Sequence, residues 1–167
     1  LGEPDISLFH WINQTWQSEF LDRVFIFFSL AIRDGWVRAA LTFVLIFYLA
    51  YNPKTRASAI QAMIAWPLAD LLCNVFKHTL PALRPAVQLD DARIIVPFLE
   101  SPGTMSAHAA TMAAIATVFL LRCNWKWALP WMLVAFMTGL SRVYVGAHFP
   151  SQVLFGWMGG VFVGLVM

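Results

Sequence analysis

Residues 106–121 read SAHAATMAAIATVFLL. Ser106 and His108 stand near the start of this stretch, and no charged residue follows them before Leu121. Its length is close to the lower limit of about 17 to 25 residues for a helix that crosses a bilayer. The stretch therefore predicts a short membrane-spanning helix with polar groups at one end.

The rest of the chain has the same character. Hydrophobic residues make up 60% of its 167 residues and charged residues 12%, whereas about a quarter of a typical soluble domain is charged. We therefore predict one all-α domain, a polytopic membrane bundle of five transmembrane helices, with a sixth as the alternative. The predicted spans are residues 36–51, 58–76, 106–121, 127–144 and 150–167.

Residues 1–34 form a distinct N-terminal segment that precedes the bundle of residues 35–167. Ile6, Phe9 and Ile12 recur at three-residue steps among polar residues, which predicts an amphipathic helix lying in the membrane interface. Residues 24–32 are apolar but too short to span a bilayer. We interpret them as interfacial or partly embedded, and they are the alternative sixth span.

Two predicted loops carry basic residues and no acidic ones. They contain Lys54 with Arg56 and Arg122 with Lys126. By the positive-inside rule these loops are cytoplasmic. The alternation of spans then puts residues 77–105 and the turn at 145–149 together on the outer side.

Three polar clusters lie at these outer span ends, where ionisable groups usually mark function. They are Lys77 with Arg84, Ser106 with His108, and Arg142 with His148 and Gln152. Arginine forks and a lysine point charge match phosphate oxygens. Two histidines facing such a pocket are explained as a nucleophile and an acid. We therefore expect a phosphate site that needs no metal and no other cofactor.

Some of these residues also have a plainer interpretation. Ser106 stands where a helix cap is favoured, and Lys77 alone is typical of a lysine that snorkels from a span end. Asp70 and Asn74 share one helix face with Lys77. We expect this polar stripe to face the interior of the bundle rather than lipid.

The order and spacing of the clusters resemble the type 2 phosphatidic acid phosphatase superfamily of integral membrane lipid phosphatases. The resemblance depends on Lys77, Arg84 and Pro85, on Ser106 and His108, and on Ser141, Arg142 and His148. The chain departs from the family pattern in two places. Met105 and Ala107 flank Ser106 where the family usually has proline and glycine, and Gln152 replaces an aspartate.

The resemblance implies a role for each residue. His148 is the expected nucleophile, which forms a phosphohistidine, and His108 is the expected general acid, which later activates water. The phosphoryl oxygens are expected to contact Lys77, Arg84, Ser106 and Arg142. Gln152 takes the place of the group that orients His148, but an amide cannot stabilise an imidazolium as a carboxylate does. Either the chain tolerates this change, or Asp70 or Glu100 substitutes, or the enzyme is slow.

The expected partners are the lipid bilayer and a phosphorylated membrane lipid. Lipid A 1-phosphate and undecaprenyl diphosphate are favoured over phosphatidylglycerol phosphate and phosphatidic acid. The expected location is a bacterial cytoplasmic membrane, with the site facing the periplasm or cell exterior. A net charge of +2 without a basic run argues against nucleic acid, and the sequence indicates no protein partner. A lipid phosphotransferase and a catalytically silent lipid-phosphate-binding protein are the alternatives.

Overall fold

The computed structural model describes residues 2–31, 35–97 and 102–167, and within these ranges the regular structure is entirely helical. The all-α prediction is confirmed. A π-helical segment, Trp11–Thr15, continues the first helix. The α-helices are α1 Glu3–His10, α2 Glu19–Leu30, α3 Gly35–Tyr51, α4 Pro53–Thr79, α5 Pro85–Gln88, α6 Ala107–Arg122, α7 Trp125–Tyr144 and α8 Pro150–Val166.

The five predicted spans correspond to α3, α4, α6, α7 and α8. Within the described ranges, α4 is the one helix long and apolar enough to cross a membrane by length and composition, while α3, α6 and α8 are shorter apolar helices. The number of spans therefore stays a prediction. Large apolar side chains such as Phe43 and Phe162 are 73% and 59% exposed, as expected for a protein surrounded by lipid.

Helix α6 lies at the centre of the bundle and packs against α4, α7 and α8. Glycines at four-residue steps let α8 approach it closely. A Cβ on Gly156 would lie 2.6 Å from the carbonyl oxygen of Ser106, and one on Gly160 would lie 2.1 Å from that of Ala110. This close packing sets the start of α8 beside the start of α6.

The N-terminal segment packs on the bundle through its apolar face. Phe9 is fully buried and Ile12 is 6% exposed, and the Phe9 ring lies 5.3 Å from that of Phe149. The apolar face of the predicted amphipathic helix thus packs on the helical bundle, in addition to any contact with a membrane interface. Residues 24–30 belong to α2, which packs on α7 through Phe25, whereas residue 32 lies outside the described ranges.

The polar stripe of α4 faces the interior only in part, since Asp70 and Lys77 are half-buried and Asn74 is exposed. Asn74 is exposed, and its Nδ2 donates to the carboxylate of Asp70 at 3.2 Å. The buried face of α4 is formed by small residues such as Ala69 and Cys73, and Asn74 does not belong to that face. Asp70 is therefore engaged with Asn74 rather than with His148, and Glu100 lies outside the described residues.

Candidate active site

The turn between α7 and α8 folds His148 back against the end of α7. The backbone N–H groups of Ala147 and His148 both donate to the carbonyl oxygen of Arg142, at 2.9 and 3.0 Å. Gly146 has a φ of +80°, a left-handed conformation that glycine adopts without strain, and Pro150 then begins α8. His148 lies at the mouth of the bundle with 3% of its surface exposed.

Hydrogen bonds determine which ring nitrogen of His148 carries the proton. Nδ1 lies 3.2 Å from the carbonyl oxygen of Gly103 and 3.1 Å from Oε1 of Gln152. Both oxygens accept, so Nδ1 is the N–H. Nε2 lies 3.1 Å from Nη1 of Arg84, and a guanidinium can only donate. The neutral ring therefore has its lone pair on Nε2.

The amide of Gln152 has one orientation that satisfies its neighbours. Oε1 accepts from the backbone N–H of Phe149 at 3.2 Å as well as from Nδ1 of His148, and Nε2 donates to the carbonyl oxygen of Leu83 at 2.8 Å. A flipped amide would set donor against donor and acceptor against acceptor. Gln152 makes the contact that an orienting residue needs, and it also joins the loop before Arg84 to α8.

Arg84 is 5% exposed and precedes α5. Its Nη1 also donates to the carbonyl oxygen of Ala147 at 2.9 Å. Gly103 is wedged against it, because a Cβ there would lie 2.7 Å from Cγ of Arg84 and 2.9 Å from Oε1 of Gln152. The sequence gives no local signal for this contact of Gly103 with the first and third clusters.

Ser106 is fully buried at the start of α6. Ser106 occupies the N-cap position of α6, as the cap interpretation places it, but its side chain makes no capping hydrogen bond. The backbone N–H of Ser106 donates to the carbonyl oxygen of Gln152 at 3.1 Å, while its Oγ has no hydrogen-bond partner among the described residues. Nearly all buried hydroxyls have a partner, so this one is suited to a ligand oxygen.

Arg142 is held by a residue that sequence reasoning missed. Nη1 of Arg142 donates to Oγ of Ser29, and it lies 3.4 Å from the Ser29 carbonyl oxygen. Ser29 and Arg142 are 2% and 5% exposed. Nε of Arg142 is buried without a partner in the part of the chain that the structure describes. The guanidinium thus has one anchored nitrogen and further donors that can bind an anion.

Lys77 and His108, both half-buried, complete the predicted set. The charges of Lys77, Arg84 and Arg142 act on both His108 and His148, so all of these groups share one electrostatic environment. Burial, followed by the charges of the two arginines, holds the pKa of His148 well below its ordinary value of 6.5, although its bond with Gln152 opposes this. His148 is therefore neutral at pH 7.

Sequence reasoning also missed a polar network that supports the site from the N-terminal side. Asn13, fully buried, donates to the carbonyl oxygens of Arg93 and Tyr144 at 2.8 Å each and accepts from the Arg93 N–H at 2.9 Å. Asp22 binds the Arg93 guanidinium and accepts from the Tyr144 hydroxyl at 2.6 Å. The network fixes the end of α7 two residues after Arg142.

Helix α1 supplies a cap for α8. The carboxylate of Asp5 accepts from the backbone N–H of Ser151 at 2.9 Å and from its hydroxyl at 2.6 Å. A negative group stabilises the N-terminus of a helix. The helix that carries Gln152 is therefore anchored by the N-terminal segment.

The described residues include no group of three or more His, Cys, Asp or Glu side chains that could hold a metal ion. Metal independence stays a prediction, and it is tested below with a chelator.

Comparison with known families matches residues 56–167 to the PAP2 superfamily. These residues include every predicted site residue, so the resemblance found in the sequence is confirmed. Two curated relatives align with the chain. Undecaprenyl-diphosphatase of Sulfolobus acidocaldarius is 28% identical over 163 residues, 97% of this chain and 76% of that protein. Bacitracin transport permease protein BcrC of Bacillus licheniformis is 26% identical over 72% of this chain, which spans 59% of BcrC.

Two solved structures are also similar. LpxE of Aquifex aeolicus has a TM-score of 0.83 and 27% identity, with 99% of this chain and 94% of that chain covered. The PAP2-type phosphatidylglycerolphosphate phosphatase of Bacillus subtilis has a TM-score of 0.69 and 18% identity, with 99% and 85% covered. The second comparison establishes the shared fold.

Proposed function

This chain belongs to the PAP2 superfamily and is a membrane lipid phosphatase of that type, and we propose that it works through a phosphohistidine on Nε2 of His148. The state of the His148 ring carries this proposal. Gly103 and Gln152 hold the proton on Nδ1, which leaves Nε2 unprotonated and 3.1 Å from Nη1 of Arg84. A neutral imidazole held in one orientation is a competent nucleophile.

In the first step, the lone pair of Nε2 forms a bond to phosphorus while the bond from phosphorus to the leaving oxygen breaks. His108, which takes up a proton when the anionic phosphate enters the cluster of cations, gives that proton to the leaving oxygen, and the dephosphorylated lipid departs. In the second step, water attacks the phosphohistidine and gives its proton to His108. The bond between nitrogen and phosphorus breaks, inorganic phosphate leaves, and both histidines return to their starting states.

The surrounding residues stabilise charge on the phosphoryl oxygens. Arg84, Arg142 and Lys77 are cations that balance the charge of a phosphate, and fixed donors in a buried site stabilise developing charge strongly. The unpartnered Oγ of Ser106 and Nε of Arg142 are donors that phosphoryl oxygens would satisfy. Positioning and electrostatics supply most of the acceleration in phosphoryl transfer.

Arg84 has an additional effect on the nucleophile. Its Nη1 donates to Nε2 of His148, which occupies the lone pair that attacks phosphorus. A phosphoryl oxygen is a charged acceptor and forms a stronger bond with a guanidinium than a neutral nitrogen does. Binding of substrate therefore transfers this donor from His148 to phosphate and exposes the nucleophile.

Undecaprenyl diphosphate is the substrate that we propose first, because the Sulfolobus relative that aligns with 97% of this chain is an undecaprenyl-diphosphatase. Lipid A 1-phosphate, phosphatidylglycerol phosphate and phosphatidic acid are the other candidates. The site is proposed to face the outer side of a bacterial cytoplasmic membrane. The basic loops with Lys54 and Arg122 lie at the other ends of α4 and α6.

The test is phosphate release by the purified protein in detergent with EDTA, measured over these four lipids. We expect His148→Ala to lower kcat/KM at least about a thousandfold. His78→Ala is the matched control, because His78 is an exposed histidine at the end of α4, and it should keep the parent rate. Rapid quenching with a radiolabelled lipid phosphate should trap labelled protein in the parent.

Three results would contradict the proposal. If phosphate release persists in His148→Ala, His148 is not the nucleophile. Label that appears in a second lipid, with no free phosphate, identifies a phosphotransferase. Binding of every lipid phosphate without release by the parent identifies a silent binding protein.

A further inference from the structure

We propose that Ser29 is a positioning residue of the active site, which holds Arg142 so that the Nε and Nη2 edge of its guanidinium faces the phosphate. The proposal rests on the proposed function, because it assumes that Arg142 binds phosphoryl oxygens. It gives α2 a role in catalysis that neither the apolar sequence of residues 24–32 nor the family match to residues 56–167 assigns.

The contact between the two residues is specific. Nη1 of Arg142 donates to the hydroxyl of Ser29 and approaches the Ser29 carbonyl oxygen at 3.4 Å, across 113 residues of sequence. Both side chains are at least 95% buried. The elements that carry them are packed together, since the rings of Phe25 and Tyr144 lie 4.5 Å apart. Ser29 is therefore fixed before any ligand arrives.

The end of α2 is a suitable place for such an anchor. The last four carbonyl groups of a helix have no partner within the helix, and its C-terminus carries partial negative charge. Ser29 is the penultimate residue of α2, so its carbonyl oxygen and its hydroxyl both attract a cation. Arg142 therefore donates to groups at the C-terminal end of α2, and this contact fixes the orientation of the Arg142 guanidinium.

That orientation decides which donors remain for the ligand. A guanidinium binds an oxyanion through two parallel N–H groups, either on its two terminal nitrogens or on Nε and one terminal nitrogen. Nη1 is engaged by Ser29. Nε is buried and has no partner among the described residues, so the Nε and Nη2 edge is the fork available to phosphate.

The test compares Ser29→Ala with Ser29→Thr and with Ser58→Ala in the full chain. Losing a hydrogen bond to a charged group corresponds to roughly ten- to a hundredfold in binding. We expect Ser29→Ala to raise KM and the inhibition constant of orthovanadate by about tenfold, with a smaller fall in kcat. Ser29→Thr keeps the hydroxyl and should restore both constants. Ser58 is a fully buried serine at the other end of the bundle, and Ser58→Ala should leave both unchanged.

Thermal stabilisation by orthovanadate supplies a readout that needs no turnover. We expect the parent to be stabilised more than Ser29→Ala, and Arg142→Ala to show little stabilisation whether or not Ser29 is also replaced. Equal losses from Ser29→Ala in the parent and in Arg142→Ala would overturn the proposal, since Ser29 would then act through packing alone.

Arg142→Ala separates this proposal from the proposed function. If Arg142→Ala loses vanadate binding while Ser29→Ala retains it, the positioning role of Ser29 is wrong and the phosphate site stands. If Arg142→Ala keeps full activity, the assignment of Arg142 to the phosphate is wrong, and the role of Ser29 fails with it.

Discussion

The two ends of the helical bundle are held by different kinds of contact. At the site end, formed by the end of α7 and the starts of α6 and α8, hydrogen bonds join residues far apart in sequence, such as Asn13 and Tyr144 across 131 residues. At the opposite end, formed by the starts of α4 and α7, many of them join neighbours, although Gln61 and Arg122 also donate to the carbonyl oxygen of Met167. Asn52 accepts from the N–H of Thr55 three residues later, in a reciprocal capping box.

Because of this difference, we expect the two ends to respond differently to mutation. The opposite end consists of local helix caps together with stacked aromatic rings such as Phe119 and Trp131, 5.4 Å apart. The site end has few local caps, and its geometry depends on helices that meet only when the whole chain has folded. Small changes there should therefore harm catalysis as well as stability, whereas comparable changes at the opposite end should harm stability alone.

Two glycines give the largest expected contrast. Gly103→Ala places a methyl group against Arg84 and Gln152, and a displacement of about 1 Å in a catalytic group costs roughly a hundredfold. We expect kcat/KM for phosphate release to fall by about that factor. In Gly164→Ala the added Cβ would lie 2.5 Å from Cβ of Thr117. Overpacking of this kind costs about 1 to 3 kcal/mol of stability, while kcat/KM should stay near the parent value.

The two variants are measured together, by kinetics and by thermal unfolding in the same detergent. The proposed difference between the two ends is wrong if Gly103→Ala keeps the parent kcat/KM. It is also wrong if Gly164→Ala loses catalysis while its unfolding temperature is unchanged.

The helices and the chemical groups of the site could be predicted because their signals are local. Apolar stretches of 16 to 19 residues correspond to α3, α4, α6, α7 and α8, and the histidines and cations recur at helix ends with recognisable spacing. The start of α8 at Pro150 follows from the preference of proline for the first helical turn. These are properties of single segments.

The contacts that orient the site could not be predicted, because each partner looks ordinary in its own segment. Ser29 is one hydroxyl in an apolar stretch, and Asn13 is one polar residue in an amphipathic helix. Their importance depends on which distant helix they meet. The same limit applies to Ser106, whose side chain makes no capping hydrogen bond although it stands at the N-cap, and to Asn74, which is exposed.

Two asparagines give the next contrast. Asn13→Ala removes the side-chain partner of three buried or part-buried hydrogen bonds and leaves backbone groups of Arg93 and Tyr144 unpaired, which should cost about 3 kcal/mol of unfolding free energy. Asn52→Ala removes a helix cap, which typically costs about 1 kcal/mol. Denaturant titration of the purified variants measures both values, and equal costs would show that the two ends are supported alike.

The smallest expected effect concerns pH. The pKa of His148 is depressed in the folded protein, so the acidic limb of kcat/KM that belongs to this histidine should lie well below pH 6.5. In Gln152→Glu a carboxylate would favour the imidazolium, and an opposite charge in contact shifts a pKa by about one unit or more. The acidic limb should move to higher pH by about that amount.

Gln61→Glu is the matched control, because Gln61 lies at the opposite end and donates to the carbonyl oxygen of Met167. Gln61→Glu adds the same negative charge as Gln152→Glu, but far from His148, so the acidic limb of kcat/KM should not move. The free energy of unfolding should also fall as the pH is lowered. The unfolded chain binds a proton at His148 near pH 6.5 and the folded chain does not, so the stability that neutral His148 contributes is lost as the pH falls below that value. An unmoved limb in Gln152→Glu would mean that residue 152 does not control His148.

The cap that Asp5 provides for Ser151 sets an order of events during biosynthesis. The two residues are 146 positions apart, and ribosomes add roughly 5 to 20 residues per second. On the order of ten seconds therefore separates the synthesis of Asp5 from that of Ser151. A similar interval separates Phe9 from Phe149. Until Phe149 is synthesised, α1 lacks the ring that packs on Phe9 in the folded chain, and we expect its apolar face to lie on the membrane, as that of an amphipathic helix does. We expect α1 to move from lipid to α8 only after Ser151 has been synthesised.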